Sequence, residues 1–224
     1  MFWDLAVIKT LGNCGGQVSS WEDRVGAVRR DFWGMTMNWI LRGWLLCLAF
    51  FHAGLGASEL SDQLSSDRYV LLMRHAHAPG VGDPLGYSLD RCETQRLLDD
   101  RGKSQAVRIG HWLRAQGVIQ ASVHASPWCR CRQTAELLDL GPVVIEPSLA
   151  SFFDQPEQAS SRNKSLQAFI AKSLRLKNSR PLVLVTHHVN IREFVGQNVG
   201  SGDMVLAQVD ANGRMLNYRL YPSP

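Results

Sequence analysis

The chain has 224 residues, which at about 150 residues per domain predicts one domain and at most two. Its 45% apolar and 20% charged content excludes a disordered tail, a collagen-like fibre and a polytopic membrane protein. The formal charge of +4 is spread out rather than clustered, so no nucleic-acid partner is expected.

The first 57 residues read as a different kind of sequence. Trp3, Trp21, Trp33, Trp39 and Trp44 crowd there, against Trp112 and Trp128 in all the rest. From Met35 a short segment carrying Arg42 leads into an apolar run from Gly43, ending in small residues at Gly56 and Ala57. That is the pattern of a secretory signal peptide over residues 35–57. The run is short for a membrane span, which needs about 20 apolar residues. A membrane contact is expected only if residues 43–57 stay uncleaved as an anchor. A signal peptide starts near the N-terminus, so residues 1–34 read as an extension outside the fold, with translation starting at Met35 or Met37. Residues 58–224 then form a single exported domain, periplasmic or secreted. It holds Cys92, Cys129 and Cys131. Cys129 and Cys131 stand too close to pair comfortably, so Cys92–Cys129 is the bridge to test against three free thiols. The spacing is not that of a zinc site.

Tyr69–Met73 is a short apolar run and predicts a buried strand. Pro79–Asp90 is rich in Gly, Pro and Asp and predicts a loop. Leu98–Gln116 predicts a helix, with Ala106, Ile109, Gly110 and Leu113 on one face and Gly117 as its stop. Ser122–Ala125 is a second strand. Arg130–Leu138 is helical, closed by Gly141 and Pro142. Val143–Glu146 is a third strand. Pro147–Asn163 reads as polar and irregular. Ser165–Lys177 is an amphipathic helix, Leu182–Val185 a fourth strand, and Asn190–Val195 the start of another helix. Met204–Val209 and Met215–Leu220 flank Asp210–Gly213, a hairpin turn. Strands alternating with helices predict an α/β three-layer sandwich. Its sheet is mainly parallel, helices cover both faces, and the C-terminal hairpin adds an antiparallel edge.

In such sheets ligands bind beyond the carboxyl ends of the strands. Those ends carry Arg74-His75-Ala76-His77, Ser126-Pro127-Trp128-Cys129-Arg130 and Thr186-His187-His188. A lone His or Arg after a strand is usually structural or solvated. Three such ends converging make a cationic crevice in which guanidinium forks match phosphate oxygens, and a neutral His there could attack phosphorus.

Leu72-Met73-Arg74-His75-Ala76 resembles the opening motif of the histidine phosphatase superfamily, in its phosphoglycerate mutase-like branch. Leu98 to Ala106 resembles its first helix, Ser126 to Glu136 its second-arginine motif, and Val185-Thr186-His187 its second-histidine motif. The four stand in the family's order across nearly all of residues 58–224. The resemblance implies a phosphomonoesterase needing no metal or other cofactor. His75 is then the nucleophile, and Arg74, Arg130 and His187 hold the phosphoryl group. The substrate is a small phosphorylated molecule, with His77, Ser126 and His188 as further contacts. The general acid departs from the pattern. Ser151 stands where mutase-like members carry Glu, and His188 where the acid-phosphatase branch carries Asp. Asp154 is the favoured substitute, with Glu146 behind it. The short insertions predict an open, permissive pocket with little lid. The alternatives are a phosphoglycerate-type mutase and a catalytically silent phosphate-binding envelope protein. Substrate identity and oligomeric state are not legible.

Overall fold

Six strands form one sheet in the order β3-β2-β4-β1-β5-β6 in the computed structural model, which describes residues 59–224. The strands are β1 (Tyr69–Arg74), β2 (Ser122–Ala125), β3 (Val143–Ile145), β4 (Leu182–Thr186), β5 (Met204–Val209) and β6 (Met215–Tyr221). β1, β4, β2 and β3 run parallel, while β5 pairs antiparallel to both β1 and β6. The α/β sandwich with an antiparallel hairpin edge is the fold expected. The extension and signal segment read in residues 1–57 lie outside the described residues. Among the described residues no helix is long and apolar enough to cross a membrane.

The helices are α1 (Glu59–Ser65), α2 (Asp100–Ala115), α3 (Cys129–Leu138), α4 (Ala159–Leu176) and α5 (His188–Val195). Side chains alternate across a strand, and β1 shows the outcome. Leu71 and Met73 enter the core beneath α1, α2 and α3, with Leu64, Ile109, Leu113 and Leu138. Val70 and Leu72 face the opposite core, with Leu166, Ile170 and Leu174 of α4 and Ile191 and Phe194 of α5. The central strand β4 is buried on both faces along its whole length, which is why its first four residues, Leu182 to Val185, are an unbroken apolar run.

Several boundaries differ from the sequence reading, each for a local reason. α4 starts at Ala159 rather than Ser165, because its first turns are polar and carry no apolar period. α5 starts at His188, with His187 alone between it and β4, and α3 starts at Cys129. α1 has no counterpart in the sequence reading, since only Leu60 and Leu64 are buried in its seven residues. It is fastened from outside: the Lys177 ammonium donates to the carbonyls of Leu64 and Ser66.

Two glycines let elements approach. A Cβ on Gly110 of α2 would strike the Leu138 carbonyl of α3, and one on Gly102 would strike the His77 carbonyl. Gly102 therefore seats the start of α2 directly on the segment that follows β1. Asp99 caps that start by accepting from Gly102 N at 2.7 Å.

Candidate active site

The parallel register brings the chemistry together. Arg74 pairs with Thr186, and Ala125 pairs with Val185, so β1, β2 and β4 end at one level. The backbone then locks the next residue of two strands: His75 N donates to Thr186 O at 3.0 Å and Ser126 N to Val185 O at 2.9 Å. Thr134 of α3 completes the frame. Its hydroxyl donates to Arg130 O at 2.7 Å and accepts from Ala76 N at 3.0 Å. The second-arginine segment is thus tied to the strand end that carries His75.

The resulting pocket has a volume of about 260 Å³, with Arg74, His75, Arg130, His187, His188 and Asp154 among its lining residues. Six of the residues singled out in the sequence are thereby brought together. His75 is 1% exposed and His187 2%. His75 Nδ1–H donates to Ala76 O at 2.8 Å, which leaves Nε2 unprotonated with its lone pair free. Burial, followed by the field of Arg130, pushes the His75 imidazole well below its ordinary range. His187 is pushed down by the same two causes in the same order. Its ring centroid lies 5.5 Å from that of His75 and 5.2 Å from that of Trp128. Arg74 Nη1 donates to Val199 O at 2.9 Å. His188 is half-buried at the start of α5, lowered mainly by burial and then by Arg74, with Phe153 5.7 Å from its ring.

Two expected contacts fall elsewhere. Ser126 is fully buried and is not a lining residue; its hydroxyl lies 2.8 Å from His187 Nε2. It therefore holds a ring rather than facing a ligand. His77 is likewise outside the lining, because its Nδ1 turns to Asp99 at 3.1 Å, at the cap of α2. Of the candidate acids, Asp154 stands at the pocket. Glu146 faces away: it caps the Pro147–Leu149 turn and shares a separate cavity with His124.

One loop adds a wall to the pocket. The loop after Ala78 folds back and lines it with Gly80, Val81, Gly82 and Asp83. Arg96 pins that loop, donating from Nε to Gly82 O at 2.9 Å and from Nη1 to Ala78 O at 2.6 Å and Gly80 O at 2.8 Å. Burial, then Arg130, lowers the Arg96 guanidinium. Asp83 meets Arg130 at 2.9 Å in a buried ion pair. Arg96 and Asp83 escape sequence reasoning, because each reads locally as a loop residue and its partners lie far along the chain.

A disulfide joins Cys92 to Cys129, with the Cα atoms 5.7 Å apart. It ties the short turn Cys92–Thr94 to the first residue of α3. Gln95 doubles the tie, accepting from Cys129 N at 2.9 Å. Cys131 remains a free, buried thiol, pushed up to about 12 by burial. Among the described residues, no group of three or more His, Cys, Asp or Glu is arranged to hold a metal ion.

Residues 70–153 match the model of the histidine phosphatase superfamily (branch 1). No curated protein sequence matches the chain. Solved structures that it resembles include the protein histidine phosphatase SixA complexed with tungstate, at 19% identity, covering 68% of this chain and 94% of that one, TM-score 0.47. A phosphoserine phosphatase from Entamoeba histolytica in complex with 3-phosphoglyceric acid is 12% identical, over 62% of this chain and 89% of the other, TM-score 0.47. A mycobacterial glucosyl-3-phosphoglycerate phosphatase complexed with VO3 is 15% identical, over 70% and 100%, TM-score 0.46.

Proposed function

From a domain that carries the histidine phosphatase superfamily (branch 1) segment over residues 70–153, we propose a phosphomonoesterase working through a phosphohistidine on His75. The observation that carries this reading is a buried imidazole, held neutral with Nε2 free, in a pocket shared with Arg74, Arg96 and Arg130. The Nε2 lone pair attacks phosphorus and the ester P–O bond breaks. Arg74, Arg130 and His187 bear on the phosphoryl oxygens, where charge grows. Asp154, at the pocket edge, gives its proton to the leaving alkoxide. Water then attacks the phosphohistidine and passes its proton to Asp154. The N–P bond breaks, phosphate departs, and His75 is restored. No step calls for a metal, so a chelator is expected to leave the rate unchanged.

The protein is also read as exported. A disulfide between Cys92 and Cys129 supports this, since such bonds persist in oxidising compartments. Mass spectrometry of the native protein is expected to find an N-terminus near Ser58; a chain intact from Met1 in the cytosol would refute export.

The enzyme reading is tested by quenching turnover of a labelled phosphomonoester. Acid-labile phosphate is expected on the wild-type protein and absent from His75→Ala. Activity of His75→Ala within tenfold of wild type would end the proposal.

A further inference from the structure

Asp83 is the least expected group in the pocket. Its neighbours Gly82 and Pro84 mark a turn, and turn aspartates are ordinarily solvated. Yet its side chain is only 3% exposed. Both oxygens accept from Arg130 Nη1, at 2.9 and 3.0 Å. Oδ1 also accepts from Arg96 N at 2.9 Å, and Oδ2 from the Trp128 indole at 3.0 Å. Taking an ionised carboxylate out of water is costly unless its partners and geometry compensate. Here three donors from two segments converge on it.

Arg130 in turn depends on that carboxylate. Its side chain is 4% exposed and its Nε has no hydrogen-bond partner. Among the described residues, Asp83 is the side chain that hydrogen-bonds to the guanidinium. Without it, the fork would be left with the stem on α3 and the Trp128 ring, whose centroid lies 6.0 Å from Cζ and whose indole the same carboxylate holds. The loop is not free to leave, because Arg96 grips three of its carbonyls. The same carboxylate steadies Trp128, whose ring packs edge-on against His187.

We propose that Asp83 is a positioning residue that aims the Arg130 guanidinium at the transferring phosphoryl group, with the Trp128 indole as a brace on its second oxygen. This rests on the phosphatase reading above. A donor fixed before the reaction needs no reorganisation as charge develops. A loose Arg130 keeps its charge for ground-state attraction and loses its aim in the transition state.

The test is a double-mutant cycle of Asp83→Ala and Arg130→Ala, read with p-nitrophenyl phosphate. Asp83→Ala alone is expected to lower kcat at least tenfold with KM within threefold. In the Arg130→Ala background the same change is expected to cost less than threefold. Equal losses in both backgrounds would overturn the proposal, as would faster turnover, which would make Asp83 a plug. Should Asp83→Ala not fold, Asp83→Asn keeps the shape and one acceptor, and the same cycle applies with at least a threefold loss expected. A binding cycle works without turnover. Orthovanadate, which adopts the five-coordinate shape of phosphoryl transfer, is expected to bind Asp83→Ala at least tenfold more weakly, and inorganic phosphate less than threefold so. Wild-type protein that hydrolyses no phosphomonoester would refute the phosphatase reading, while the orthovanadate cycle would still decide the role of Asp83.

Discussion

The attack proposed for His75 needs an unprotonated Nε2, and its surroundings favour one. Burial comes first and Arg130 second, both disfavouring the imidazolium. The expected outcome is a ring that stays neutral at pH 6, read from imidazole nitrogen shifts by NMR. The sign for stability follows. With the folded value depressed below about 6.5, the unfolded chain binds the extra proton first, so stability falls as pH drops from there. His187 adds to the loss in the same direction, and the melting temperature should decline on acidification below that point. Asp154 makes a different prediction. If it protonates the leaving group, Asp154→Asn slows an alkyl phosphate, whose alkoxide needs the proton, at least about tenfold. It barely touches p-nitrophenyl phosphate, whose leaving group is stable as an anion. Equal slowing of both would make Asp154 structural. Arg74, His75, Arg130 and His187 were legible as pocket residues because they lie at or a few residues beyond three strand ends, and it is the convergence of those ends that marks a crevice. Asp83 and Arg96 were not, because their meaning lies in contacts across 13 and 47 residues of chain.

At the scale of elements, α2 shows a local rule giving way to packing. Ala is favoured over Gly inside a helix by about 1 kcal/mol. At Gly102 the sign reverses, since the added Cβ would strike the His77 carbonyl. Overpacking of this kind costs about 1–3 kcal/mol. Gly102→Ala is therefore expected to lower stability in urea melts and, by pushing on the segment after His75, to lower turnover as well. Gly102 was visible as part of a motif, but periodicity could not say what it touches. Strands β1 and β4 and helix α2 were legible from their apolar patterns. The start of α4 and all of α1 were not, because polar turns and a helix with two buried leucines carry too little pattern. α1 is held by partners far along the chain: Lys177, which reaches it from the end of α4, and Arg219, which meets Glu59 at 3.0 Å.

For the whole molecule, the disulfide matters more than its size suggests. It closes a loop over a separation of 37 residues, worth about 4 kcal/mol by chain entropy. It also fastens the turn ahead of Arg96 to the helix that begins beside Arg130. Reduction, or Cys92→Ser, is expected to lower the melting temperature and to cut turnover together. A drop in melting temperature with kcat/KM unchanged would confine the bond to stability.

The free thiol of Cys131 shows why that bond takes the partner it does. Among the described residues Cys92 has two candidate partners, Cys129 and Cys131, almost side by side in sequence. Once α3 winds, residues two apart turn to nearly opposite sides of the helix, and Cys131 goes into the core against the Thr186 carbonyl. There its protonated sulfur is a poor nucleophile. The folded helix sets Cys129 against Cys92 and keeps Cys131 out of exchange by the same packing that lines the pocket.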